Sequence, residues 1–314
     1  MKRLFKIKFL FYLLIGMAFL LTSCMDSKAA EVITESKNLN NTTEPKKEAQ
    51  QLSEAFKSYW YTGEAEITSY KLEQARYGEI RDGHAVLIFV TEDFLPNEQV
   101  KANQQSSDNI SVLKLNATKK FNTGIYPYSV MQSTFYPVAN NQHALKVSSS
   151  MQEWCGQVFT QLNNRNAFII NSHSYFQGEA DKSFNLDKTT LENELWTQLR
   201  LDPEQLPTGD LQIIPSLEYA RFSHIDLQAY NANAVLTENS YTISYPELER
   251  SLTINFDSEF PYKIASWEET YKSGFGSNTK VLTTKATKLT TIKSPYWSKN
   301  NNEDDYLRKT LQLN

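Results

Sequence analysis

The sequence predicts a mainly β protein: one large antiparallel sheet, curved or open-barrelled and laid out as a meander, with one internal helix at about 189–200 and a short C-terminal helix. Three observations carry this expectation. Short runs rich in β-branched and aromatic residues recur between clusters of turn residues. Apolar and polar residues alternate along several of those runs, the period of a half-buried strand. The connections in the last third are short, and short loops join antiparallel neighbours, whereas parallel ones need long crossovers.

The first 23 residues stand apart from that pattern. Lys2, Arg3, Lys6 and Lys8 precede an uncharged run from Phe9 to Leu21, and small residues follow, which is the layout of an export signal. The run falls short of the roughly 20 apolar residues that a membrane-spanning helix needs. Leu21, Thr22, Ser23 and Cys24 resemble the bacterial lipobox, which implies removal of residues 1–23 and acylation of Cys24. Each buried methylene contributes about 0.8 kcal/mol, so two or three acyl chains anchor a protein stably where one does not. Met25 after the cysteine resembles an outer-membrane address more than an inner-membrane one. The expected location is the cell envelope, lipid-anchored, with the leaflet open.

Residues 24–52 hold the lipidated cysteine and a stretch dominated by Ser, Asn, Thr, Lys, Glu and Ala. That composition buries too little apolar surface to offset chain entropy and predicts a disordered tether, with a reach of roughly 30 Å. A single mainly β domain, 53–314, follows. Losing the four basic residues of the signal leaves 28 of 32 Lys and Arg against 36 Asp and Glu, a net charge of −8. Such a balance opposes nucleic-acid binding, which rests on cationic contacts to phosphates. Acylation of Cys24 leaves Cys155 without an intramolecular partner, so the domain is expected to be stable through its core alone.

Within the domain, residues 84–91 (HAVLIFVT) form a continuous apolar run between turn residues and read as a buried strand. Over 124–138, Tyr126, Tyr128, Val130, Thr134, Tyr136 and Val138 share one face, while Pro127 and Pro137 move that strand toward a sheet edge. Residues 144–160 and 167–176 read as two strands joined through Asn163, Asn164, Arg165 and Asn166. Leu191, Leu195, Trp196 and Leu199 fall on one helical face, with Thr189 and Glu192 as a capping box and Pro203 beyond the end. The stripe is expected to face the core, with a ligand groove lined by Trp196 as the alternative.

From 251 to 293 the pattern is a meander. Leu252, Ile254 and Phe256 alternate with polar residues, DSEFP turns the chain into 262–271, and SGFGSN turns it into 280–293. The lysines of this last strand suit an edge that must not pair with another chain. Asn302 to Leu313 reads as a short helix, acidic at its start and basic later, in line with the helix dipole.

Chemistry-bearing patterns are sparse. Cys155, in EWCGQVF, reads as a buried small hydrophobe; the alternative is a reactive thiol served by His143 or His173. His84, His143, His173 and His224 show no metal-ligand spacing, and no HExxH, CxxC or EF-hand loop occurs, so no metal or other cofactor is expected. Glu303, Asp304 and Asp305 read as a helix start rather than a calcium site. Ser111 to Lys114 matches SxxK but lies in a strand, where the lysine does not sit one helical turn from the serine. Phosphate loops and GxSxG are absent.

Four segments together carry a family resemblance: Ser58 to Phe94, Lys114 to Val138, Glu153 to Phe159 and Leu206 to His224. They resemble a group of exported Bacteroidota lipoproteins of unknown function whose members often carry the label "septum formation inhibitor Maf". Maf proteins are cytoplasmic nucleotide pyrophosphatases with an SxSPRR-like phosphate segment, which this sequence lacks. The resemblance therefore supplies no catalytic residues.

The resulting expectation is a membrane-anchored envelope lipoprotein that binds or assembles without catalysis. Its partners are the membrane, through the acyl chains, and a lipid, glycan or envelope protein, but no nucleic acid. Tyr126, Tyr128 and Tyr136 are the candidates for a ligand-binding face. A hydrolase or thiol enzyme built on Cys155 and a histidine is the alternative, and Maf-type activity a remote one.

Overall fold

The computed structural model describes residues 51–139 and 142–313. The export signal, Cys24 and nearly all of the expected tether lie outside these residues. The chain builds β1 (Ala65–Arg76), β2 (Glu79–Leu95), β3 (Val100–Lys101), β4 (Ile110–Thr123), β5 (Tyr126–Pro137), β6 (Lys146–Glu153), β7 (Gly156–Asn164) and β8 (Phe168–Ser174). It continues with β9 (Lys182–Leu186), β10 (Thr190–Leu191), β11 (Gly209–Ile214), β12 (Tyr230–Leu236), β13 (Ser240–Tyr245), β14 (Arg250–Phe256), β15 (Ile264–Ser273) and β16 (Lys280–Ser294). Four α-helices accompany them among the described residues: α1 (Glu54–Trp60), α2 (Glu192–Leu201), α3 (Leu217–Ser223) and α4 (Tyr306–Thr310).

All the strands belong to one sheet. Its order is β10, β11, β12, β13, β14, β15, β16, β1, β2, β4, β5, β6, β7, β8, β9, with β3 paired to the end of β2. Every pairing is antiparallel except β10 with β11. The sheet is curved and unclosed, since its two edges, β9 and β10, are not hydrogen-bonded to each other. Only residues 187–189 separate these edges in sequence, and a chain of that length spans at most about 14 Å. The sheet thus curls until its edges face each other across a narrow opening.

Strand alternation explains why the sheet curls around a core. Along β2, Ala85, Leu87 and Phe89 point inward to a cluster with Tyr70, Leu72, Leu113, Leu115, Ile254 and Trp267. Leu195 and Leu199 of α2 and Phe222 of α3 complete this cluster from the concave side. The intervening Val86 and Val90 join Ile67, Leu311 and Leu313 on the convex side, under the C-terminal helix. Residues 84–91 are apolar without interruption because both faces of that strand are covered.

Several sequence expectations are corrected. β5 is central, between β4 and β6, because Pro127 and Pro137 occupy its second and last positions and cost the ladder little. β16 is also internal, between β15 and β1, so its lysines guard no edge; Lys285 instead faces Glu268 across the β15 pairing at 3.2 Å. Residues 144–160 are two strands folded back at Trp154 and Cys155, with Glu153 opposite Gly156. The α2 cap is Leu191, which has no side-chain acceptor; Glu194 accepts its N–H at 3.0 Å, and the Thr189–Glu192 box does not form. Helix α3 has no counterpart among the elements the sequence predicts. Its signal is Ser216, whose hydroxyl accepts the Tyr219 N–H at 3.2 Å, but seven residues give too short a period to register.

Candidate functional site

Antiparallel alternation sends every second turn to the same end of the sheet. The turns after β1, β4, β6, β8, β13 and β15 share one end with the α3 segment between β11 and β12. Large apolar side chains stand exposed on four of these turns: Ile125, Trp154, Tyr175 and Phe275. The chain enters at the opposite end, where α1 leads into the start of β1. Three hollows open at the turn end: one of about 550 Å³ beside Cys155, and two that adjoin each other.

The largest, of about 770 Å³, runs along the open edge of the sheet. Val158, Ile170, Phe184 and Leu186 supply one wall from β7, β8 and β9, and Leu217, Ile225 and Leu227 supply the other from α3 and the chain after it. This volume lies within the roughly 300–1,000 Å³ of ordinary ligand sites, and the mix of apolar walls with a few polar groups suits an amphipathic occupant. Its polar end is built by Glu179, which accepts from Arg221 and meets His224 Nδ1, each at 3.0 Å. The Arg221 guanidinium lies 4.4 Å from the centre of the Phe176 ring. Burial pushes the His224 imidazole below its ordinary value, against the pull of Glu179. His224 caps α3 in the left-handed region at φ 53°, which turns the chain sharply into the groove wall.

The second hollow, of about 260 Å³, adjoins the first, and His224 and Ile225 line both. Arg76, Tyr77, Tyr219, Phe222, Tyr271 and Phe275 form much of its wall. Arg76 is the last residue of β1, and the tight turn through Tyr77 (φ 55°) and Gly78 (φ 75°) follows it. Gly78 is required there, because a Cβ would stand 2.4 Å from the Asn278 carbonyl oxygen.

A further cavity lies inside the curl and is polar. Glu192 accepts from both Arg250 terminal nitrogens at 2.5 and 2.7 Å and from the Tyr245 hydroxyl at 2.7 Å. Arg250 also donates to Glu269, and Lys119 and Gln132 donate to Glu218 at 2.6 and 2.9 Å. Trp196 and Trp267, in edge-to-face contact at 5.3 Å, close the same space. Burial raises the Glu192 carboxyl, but the charge and hydrogen bonds of Arg250 outweigh it and hold the group below the carboxylate range. For Glu218 burial prevails over Lys119, and the carboxyl is raised. The cavity has only about 50 Å³, which suits one or two water molecules at roughly 30 Å³ each rather than an organic ligand.

The residues singled out from sequence fall mostly elsewhere. Cys155 is exposed on the β6–β7 turn and not buried, because a two-residue hairpin points both its side chains outward. Its thiol is raised by the Glu153 carboxylate beside it, the wrong direction for a nucleophile. His173 lines the same 550 Å³ hollow as Cys155 but pairs with Asp181 at 3.4 Å, while His143 binds Glu194 at 2.8 Å. Neither hydrogen-bonds Cys155 among the described residues. Tyr128 and Tyr136 are core: Tyr128 stacks on Phe121 at 5.0 Å, and Tyr136 accepts from Gln198 at 2.7 Å. Tyr126 is half-buried beside Trp154, outside the two adjoining hollows. Trp196 faces the core as expected, packed against the main cluster, and also borders the small interior cavity. No three His, Cys, Asp or Glu side chains gather at a metal-sized site among the described residues.

No protein-family model and no curated protein matches the chain. Among solved structures, it is similar to a beta-barrel-like protein of domain of unknown function DUF1849 from Brucella abortus, at 8% identity and a TM-score of 0.41. That similarity covers 73% of this chain and 96% of the other.

Proposed function

We propose that this protein is a lipid-anchored envelope protein that binds an amphipathic ligand without transforming it. The observation that carries this reading is the 770 Å³ groove at the open edge of the sheet, which sets apolar side chains on both walls beside Thr160, Ser172 and Lys182 and the ionic cluster at Glu179. The lipobox-like junction at Cys24 supports the address, and the absence of a nucleophile signature in the sequence agrees with binding rather than turnover.

The test is native mass spectrometry of the full chain purified from its own envelope. Adducts of amphiphile mass are expected on the wild type and should be largely lost in Phe184→Glu, which places a charge in the apolar wall. Repeated absence of adducts from the wild type would overturn the reading. The thiol-enzyme alternative makes a different forecast: Cys155→Ser would fail to complement a deletion, whereas the binding reading expects full complementation.

A further inference from the structure

Buried arginines in this fold come in two kinds. Arg200 and Arg250 each hold a carboxylate with two nitrogens, Glu66 at 2.6 and 2.9 Å and Glu192 at 2.5 and 2.7 Å. Arg76 is comparably buried, at 5% exposure, yet no carboxylate lies within ion-pairing distance of it among the described residues. Three of its five N–H donors are used, by the Phe222 carbonyl at 2.9 Å and the Tyr77 and Tyr128 hydroxyls at 3.2 and 3.3 Å. Its Nε–H has no partner. The guanidinium is sandwiched between the Tyr77 and Phe222 rings, 4.2 and 4.5 Å from their centres. Aromatic faces ease the burial of a cation but do not neutralise it, and buried charges are ordinarily paired.

We propose that the 260 Å³ hollow at the end of β1 binds a phosphate-type oxyanion against Arg76, as the head of the amphiphile whose apolar part lies in the adjoining groove. This rests on the binding reading above and adds the chemistry of the polar end. His224 and Ile225 line both hollows, so one molecule can occupy the two together. The other charges at the hollow are already engaged: Glu247 accepts from Asn231 at 2.5 Å, Lys272 pairs with Glu249, and His224 with Glu179. Arg76 is therefore the cation left within this hollow to select the head group, while Lys182 lines the adjoining groove. A planar guanidinium fork suits a phosphate, and charge-assisted bonds of this kind are about twice as strong as neutral ones. Phe275 and Leu248 at the mouth supply apolar surface where the head joins the chains.

The experiment titrates the full chain with three probes: phosphatidic acid in neutral detergent micelles, diacylglycerol with the same acyl chains in the same micelles, and inorganic phosphate. The wild type is expected to prefer phosphatidic acid by about tenfold or more, as loss of a charge-assisted pair implies. Arg76→Met should erase that preference while leaving diacylglycerol binding unchanged, Arg76→Lys should keep part of it, and Phe184→Glu should weaken both lipids alike. Equal binding of the two lipids by the wild type overturns the Arg76 assignment and leaves the groove reading standing. Saturable phosphate binding that Arg76→Met abolishes, with neither lipid bound, upholds the anion site, names free phosphate as its source, and sinks the amphiphile reading. If Arg76→Met does not fold, the lipid preference of the wild type and its displacement by inorganic phosphate still decide; a preference that phosphate cannot displace counts against the site.

Discussion

Arg250 and Glu192 show what a buried charge costs and what it specifies. Both are almost fully inaccessible, and the pair ties α2 to β14, 58 residues apart in sequence. Removing one partner leaves the other charged and desolvated, so Arg250→Met is expected to cost about 3–5 kcal/mol, read from urea denaturation. The pH dependence follows from the direction of each shift. Glu192 and Glu66, held down by Arg250 and Arg200 against the effect of burial, contribute stability above the unfolded value of about 4.3 and lose it as pH falls through their lower folded values. Glu218, pushed up by burial, acts oppositely: its contribution is full below about 4.3 and is lost as pH rises through its folded value. In urea midpoints taken from pH 7 to pH 2, the wild type should therefore weaken steeply at the acid end. The gap between wild type and Arg250→Met should narrow there, because Glu192 no longer gains from ionisation in the variant; a constant gap would contradict the assignment.

At the scale of elements, the glycine at the fifth position of β2 marks a close approach of two strands. Gly83 pairs with Phe121, and a Cβ on it would stand 2.3 Å from the Lys120 carbonyl oxygen and 2.7 Å from the Phe121 Cβ. Gly83→Ala is expected to force β2 and β4 apart and to cost about 1–3 kcal/mol, the range for overpacking, measured by thermal or urea unfolding. That glycine was visible in sequence only as a turn residue bounding an apolar run, because close approach of a neighbouring strand leaves no local mark. What was legible is local: the period of α2, the two-sided apolar run in β2, and the hairpins at DSEFP and SGFGSN. Less legible were features decided across the sheet. Whether β5 and β16 are edges depends on which strands close around them, and Cys155 depends on a fold-back between two runs that alternate alike. The site was the least legible part. Arg76 is distinguished by lacking an acid, and two of its three partners are distant in sequence, Tyr128 by 52 residues and Phe222 by 146.

Across the whole molecule, the sheet sets a direction. The chain enters beside α1 at one end, β1 runs about 40 Å to Arg76 at 3.3 Å per residue, and the two adjoining hollows open at the far end. The proposed lipid anchor and the proposed ligand mouth therefore attach to opposite ends of the same strand. This arrangement requires that the entry end be a fixed part of the fold. Helix α1 provides it: Trp60 is fully buried against Phe89 and the Arg200 guanidinium, and its carbonyl accepts from Thr91 at 2.6 Å. Ser53 caps the helix and Phe56 joins the main core. A chain starting at residue 51 should accordingly melt with the full-length protein and bind the same ligand. One starting at residue 62 loses both aromatic anchors and should be less stable by at least about 3–5 kcal/mol, the cost of deleting one large buried aromatic side chain. Equal unfolding midpoints for the two truncations would show that α1 is dispensable and that the folded end begins at β1.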